Sequence, residues 1–291
     1  MDATETHHIS GAACPVHQMA CMEIWGGNRA IEEAVSTTGI DAWISSRPYH
    51  GDHAGGDVHY VSMCAGGKIC RFAVADVSGH GASVDGFAQA LRTLMRRYIN
   101  TPDQSRFTRE LNRQFTAVSD GGIFATALLA TYFAPTDQLI IVNAGHPRPM
   151  LRRAGTGAWI ALDAQGDTDD RATNLPLGII EPTDYAQFAV TLEPGDEIVI
   201  VTDSLVESPG PNGKMLGEAG LLQALEALPD GSPQHRTAAL LEAITRGAGG
   251  AEFNDDVTVV WMRHTATDPP RQSVVQQFAM LGKMLGLGEP I

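Results

Sequence analysis

The sequence is short of cysteine, of positive charge and of long apolar runs, and each shortage removes a class of protein. Four cysteines in 291 residues, Cys14, Cys21, Cys64 and Cys70, are too few to staple a chain of this length. Lys+Arg 20 against Asp+Glu 34 leaves a formal net charge of -14, so there is no basic surplus to grip nucleic acid or an anionic membrane. No run approaches the roughly 18 apolar residues of a membrane span. The start, Met1-Asp2-Ala3-Thr4-Glu5, has neither the basic nor the apolar part of a signal peptide. A P-loop, a dinucleotide-binding glycine pattern and a serine nucleophile elbow are also missing from the sequence. The expectation is a cytoplasmic protein with reduced thiols, no nucleic acid and no membrane partner. A composition of 43% hydrophobic and 19% charged residues is that of a folded chain, with room for one large or two small domains.

Residues 1 to 45 carry little periodicity and read as an arm. From Val58 onward, short β-rich runs alternate with turn chemistry. Strands are expected over 58–64, 69–75, 124–134, 139–143, 187–192, 197–202 and 257–263. Apolar residues at Phe87, Ala88, Leu91, Met95 and Tyr98 mark one helix, and Phe107, Leu111, Phe115 and Val118 a second. Two more helices are expected over 221–228 and 238–244. Hairpins and helices in this order suggest an α+β fold, an antiparallel sheet core with helices outside. The acidic stretch 166–171 reads as a surface loop. In the tail, 266–291, Val274, Val275, Phe278, Leu281 and Leu285 fall on about one helical face, to pack on the domain or to grip a partner.

Four segments place aspartates at strand ends or in glycine-rich turns: Gly55-Gly56-Asp57, Asp76-Val77-Ser78-Gly79-His80-Gly81, Thr202-Asp203-Ser204 and Asn254-Asp255-Asp256-Val257. Singly, an aspartate beside glycine is most often a turn residue. Together on neighbouring strands they would repel unless a cation sat among them. Oxygen-only ligands select Mg²⁺ or Mn²⁺ over zinc, and a pair of such ions activates water and clamps a phosphate. The chemistry indicated is metal-assisted phosphoester hydrolysis. Cys14, His17 and Cys21, with His7 and His8 nearby, fit no zinc spacing. Cys64 and Cys70 are expected to face each other near a hairpin as small buried apolar residues.

Residues 45 to 265 resemble the bacterial PPM (PP2C-like) serine/threonine phosphatases of the sporulation-phosphatase and sigma-factor-regulator type. The Asp57 and Asp76 segments carry most of the likeness. It is supported by Asn143-Ala144-Gly145-His146-Pro147, Leu175-Pro176-Leu177-Gly178, Thr202-Asp203-Ser204-Leu205-Val206-Glu207 and Asp255-Asp256-Val257-Thr258. The resemblance implies a four-layer αββα sandwich of two antiparallel sheets over 46–265, with two Mn²⁺ or Mg²⁺ ions at one end. Asp76 would bridge both ions and Val77 would offer its carbonyl. Asp203 and Asp255 would complete the second ion, with Asp256 as the fallback for Asp255, and Asp57 would hold the first ion or its waters. A metal-bridging hydroxide would then attack the phosphorus of phosphoserine or phosphothreonine. His80 would act as general acid or position a water, or else shape its loop; His146 would line a groove or shape a turn.

The resemblance also implies a phosphorylated protein substrate of the anti-sigma-factor-antagonist kind. Regulation would come from a separate protein, or through the arm or tail, either of which could make a homodimer contact. Two departures from the family pattern, Ser204 where glycine is usual and Tyr60 where an acid is common, favour the rival reading of a catalytically silent module that binds a phosphoprotein. A third reading is a phosphatase for small phosphoesters.

Overall fold

The computed structural model describes residues 16–79, 84–98, 101, 103–119, 122–163, 173–210, 213–265 and 267. Strands β5 (Asp57–Cys64) and β6 (Ile69–Val77) form the hairpin from which the rest can be built. β6 pairs on its other side with β7 (Ala125–Phe133), which pairs with β8 (Gln138–Ala144). β11 (Gln187–Thr191) and β2 (Ile24–Gly27) close the two edges of this six-stranded sheet. A seven-stranded sheet faces it. Its order is β1 (Val16–Gln18), β3 (Ile31–Ser36), β4 (Ile40–Arg47), β13 (Val257–His264), β12 (Glu197–Val201), β9 (Met150–Arg152) and β10 (Trp159–Ala161). β1 and β3 pair in parallel; every other pairing between these strands is antiparallel.

The period-two alternation of the strands sorts the core into three layers. Phe72, Val74, Leu128, Ala130 and Ile141 of one sheet meet Ile44, Ile198, Ile200, Val260 and Met262 of the other. The intervening residues Ala73, Ala75 and Leu129 point outward beneath α1 (Asp85–Tyr98) and α2 (Gln104–Ser119). These helices cover them with Leu91, Met95, Phe107, Leu111 and Phe115, at the three-and-four spacing seen in the sequence. On the far side Val199, Val201, Val259 and Trp261 lie under α4 (Gly217–Glu226) and α5 (Pro233–Gly247). The αββα sandwich is the architecture observed. Buried charge also ties α5 down. Arg236 pairs with Glu197 at 2.5 Å, Trp261 Nε1 donates to the same carboxylate at 3.0 Å, and the guanidinium lies 4.7 Å from the Trp261 ring. Removing one member would leave the other buried and uncompensated.

The structure differs from the sequence reading in four places. The stretch read as an arm supplies β1 to β4. Of these, β1 and β2, of three and four residues, are too short to show periodicity, and β3 and β4, of six and eight, interrupt their apolar positions with Glu32, Glu33, Ser45 and Ser46. β9 and β10, three residues each, are likewise too short. The strand expected to end at Thr202 ends at Val201 and turns into a short helix, α3 (Asp203–Glu207). Cys64 and Cys70 are not opposed. Cys70 pairs with Met63 and Cys64 with Ile69, so the two side chains point to opposite faces. Burial pushes the Cys70 thiol up to about 11, whereas Cys64 accepts from Arg71 Nη1 at 3.0 Å.

His17 bonds Glu23 at 2.8 Å and stacks on Trp25, and Cys21 is exposed; His7, His8 and Cys14 lie outside the described residues. So do the acidic loop 166–171 and the apolar positions of the tail. Among the described residues no helix is long and apolar enough to cross a membrane.

Candidate metal centre

The alternation that fills the core also builds the site. Along β6 the inner face reads Phe72, Val74, Asp76, and along β5 it reads Val61, His59, Asp57, so apolar positions give way to carboxylates at one end. Asp57 and Asp76 are direct partners across the β5–β6 ladder. The opposite sheet brings Thr202, Asp203, Asp255, Asp256 and Thr258 to the same end, where β12 stops and β13 begins.

Asp57 is 2% exposed. Its Oδ2 accepts from Thr202 Oγ1 at 3.0 Å, while Oδ1 has no partner of hydrogen-bond geometry. Burial holds its carboxyl well above the usual range. The charges of Asp256 and Asp203 push it further, against the pull of the Thr258 and Thr202 hydroxyls. Asp76 is raised in the same way, by burial first and then by Asp57, Asp203 and Asp255. Asp203, at the start of α3, is raised by burial despite hydrogen bonds from Asp76 and the Ser204 amide. Carboxylates thus meet carboxylates across both sheets. Among the described residues no three Asp, Glu, His or Cys side chains close on one point as a ready-made cage. What fits a hard cation here is the donor chemistry: oxygen only, mutually repelling, with one buried carboxylate oxygen left over.

Asp255 and Asp256 separate clearly. Both oxygens of Asp256 are engaged, Oδ1 by the Tyr49 amide and Oδ2 by the Gly56 amide, each at 2.6 Å. Asp256 therefore ties the loop 49–56 to the start of β13. Asp255 accepts from the Asp256 amide at 2.8 Å and acts on Asp76. The strut works only because of the glycines it touches. A Cβ on Gly55 would lie 2.3 Å from Asp256 Oδ1, and one on Gly56 would lie 2.8 Å from the Val77 carbonyl oxygen. That carbonyl, at the end of β6, therefore lies against the Gly55-Gly56 turn.

Neither departure from the family pattern obstructs this end. Tyr60 is on the opposite face of β5 from Asp57, packed under the helices, and its hydroxyl accepts from Arg92 Nε at 2.8 Å. Ser204 sits in the first turn of α3 without a positive φ, so its Cβ causes no backbone strain. His80 lies outside the described residues.

His146 is buried in a turn. Its amide donates to Asn143 Oδ1 at 2.7 Å, its carbonyl accepts from Asn143 Nδ2 at 2.8 Å, and Nδ1 bonds Thr126 Oγ1 at 2.9 Å. Burial pulls its imidazole down to about 3. The unfolded chain therefore takes up that proton before the folded one, and the stability from the neutral ring is lost as pH falls from 6.5 toward 3. His59, pulled down to about 4 by burial, acts in the same sense. His146→Gln is expected to flatten the fall in stability between pH 7 and pH 5, by up to about 1.4 kcal/mol per pH unit. Urea midpoints of parent and variant at the two pH values check this, and equal slopes would refute it.

Sequence reasoning missed the hydroxyls. Thr202 Oγ1 donates to Asp57 and accepts from the Thr258 amide at 2.9 Å, and Thr258 Oγ1 meets Ser46 Oγ at 2.9 Å. Their signal was present as the polar end of three otherwise apolar alternations.

The family model for stage II sporulation protein E (SpoIIE) matches residues 66–265. The phosphoserine phosphatase RsbU of Bacillus subtilis is 27% identical over 194 residues, covering 66% of this chain and 55% of that protein. Stage II sporulation protein E of B. subtilis is 22% identical over 235 residues, covering 79% of this chain and 27% of that protein. The chain thus spans about half the length of the first of these relatives and about a quarter of the second. Among solved structures, the RsbU and RsbW domains of Rv1364c from Mycobacterium tuberculosis superpose with a TM-score of 0.66 at 24% identity. That match covers 88% of this chain and 71% of that one, and establishes the shared fold.

Proposed function

Since the chain belongs to the SpoIIE family, we propose that it is a metal-dependent protein serine/threonine phosphatase. The observation that carries the reading is the buried Asp57–Asp76 pair, with Asp203 and Asp255 acting on Asp76 from the facing sheet. Two divalent ions, Mn²⁺ or Mg²⁺, would supply a water of lowered pKa there and offset the charge of a phosphate. Asp76, which feels all three of the others, is the natural shared ligand, with the Val77 carbonyl beside it. Asp203 and Asp255 hold the facing side and Asp57 the near side. The Thr202 hydroxyl orients Asp57, and the hydrogen bond between Asp76 and Asp203 keeps a proton that cation binding would release. Asp256 is assigned the part of strut in place of ligand, because backbone amides occupy both its oxygens. His80, four residues beyond Asp76, is assigned to protonate the leaving seryl oxygen or to position water.

The substrate proposed is a phosphorylated regulatory protein of the anti-sigma-factor-antagonist kind, within a partner-switching pathway. A relative named phosphoserine phosphatase RsbU and a neighbour that joins RsbU and RsbW domains support this. A regulatory protein, or a second copy of the chain, would set its activity. Position 60 lies on the face of β5 opposite Asp57, so an acid there would not join the carboxylate edge, and Ser204 introduces no backbone strain; neither departure therefore favours the silent-module reading. Purified protein with millimolar Mn²⁺ is expected to dephosphorylate a phosphoserine peptide at least tenfold faster than its phosphotyrosine counterpart, and to stop on adding EDTA. Turnover that ignores EDTA, or that prefers small phosphometabolites to the peptide, would overturn the reading.

A further inference from the structure

A cavity of about 1100 Å³ opens beside Asp255, on the α5 side of the carboxylate edge. Its floor is apolar, with Leu241, Phe253 and Val257, and one wall is the Tyr49–Asp52 turn. That wall does not float. The Tyr49 amide is bonded to Asp256, so the cavity and the carboxylate edge are held in one register. Apart from His50, the lining carries two cations, Arg47 and Arg246, and both already have acidic partners, Glu32 and Glu242 respectively. Asp52 and Glu252 remain, and both are exposed. A groove with an apolar floor and uncompensated negative charge, continuous with a phosphate-handling site, complements a peptide that is basic and apolar next to its phosphorylated residue.

We propose that this groove is a specificity site, which seats the residues flanking phosphoserine and selects substrates with Lys or Arg there through Asp52 and Glu252. The proposal rests on the phosphatase reading and adds the substrate class. Its test uses two phosphoserine peptides with the same apolar residues, one flanked by lysines and one by glutamates. The lysine peptide should have the higher kcat/KM. In the double variant Asp52→Asn/Glu252→Gln, the ratio between the two peptides should fall about three- to tenfold, the scale of one or two exposed ion pairs. An unchanged ratio, or a parent that prefers the glutamate peptide, would overturn the groove. Parent turnover of a chromogenic phosphate ester with Mn²⁺ reports separately on the phosphatase reading. Should the parent turn over neither ester nor peptide, fluorescence anisotropy with labelled peptides still decides. Tighter binding of the lysine peptide, weakened in the double variant, upholds the groove; equal binding refutes it.

Discussion

Asp76→Asn is expected to lower Mn²⁺-dependent phosphate-ester turnover by on the order of 10³-fold, equivalent to about 4 kcal/mol of transition-state stabilisation. In the same protein stripped of metal, it should raise the melting temperature. The two effects share one cause. Asp76 is buried among Asp57, Asp203 and Asp255, and its carboxyl is held well above the ordinary 3.8 by burial and by their charges. Between 3.8 and that raised value the folded state holds protons that the unfolded chain has released, so stability falls as pH rises through this window. The substituted amide would carry no charge, so the variant escapes that loss and relieves its neighbours. Each kcal/mol recovered should appear as about 2–4 °C. Calorimetric scans in EDTA at pH 5 and pH 7.5 should show the variant's advantage growing with pH. Millimolar Mn²⁺ should then raise the parent's melting temperature at pH 7.5 and leave the variant's nearly unmoved. A variant that melts below the parent in EDTA at both pH values would mean that Asp76 serves the fold rather than a cation.

How far such a site can be read from sequence depends on the scale of the signal. The β5–β6 hairpin and helices α1 and α2 were legible because their apolar spacing runs over eight to sixteen residues. The aspartates were legible because each ends or begins such a run. Two other things were not. β1, β2, β9 and β10 have three or four residues each, and in a stretch so short a period of two cannot be distinguished from chance. Partner choice was equally hidden. Asp255 and Asp256 are adjacent, chemically identical and both at the start of β13, and only the fold shows which of them meets the Tyr49 and Gly56 amides. Motif alignment favoured Asp255 as the ligand, and the hydrogen bonds supply a physical reason for that preference.

That reason separates the two residues experimentally. Asp256→Asn should unfold more easily with or without metal. An amide has one acceptor oxygen where two amide donors now find carboxylate oxygens at 2.6 Å, so its NH₂ would face a backbone N–H. Losing one charge-assisted bond and leaving a buried donor unpaired costs roughly 3 kcal/mol, or about 6–12 °C. Activity should fall as the loop 49–56 loosens, because that loop carries Gly55 and Gly56 against the Val77 carbonyl. Asp255→Asn should behave in the opposite way. Its Oδ1 can still accept from the Asp256 amide, so the metal-free protein should melt within a degree or two of the parent or slightly above it. Its Mn²⁺ affinity, read by titration calorimetry, should drop at least tenfold, with turnover falling alongside. If Asp256→Asn instead kept its stability and lost only metal affinity, the strut and the ligand would have to exchange places. The loop 49–56 would then need another anchor to β13.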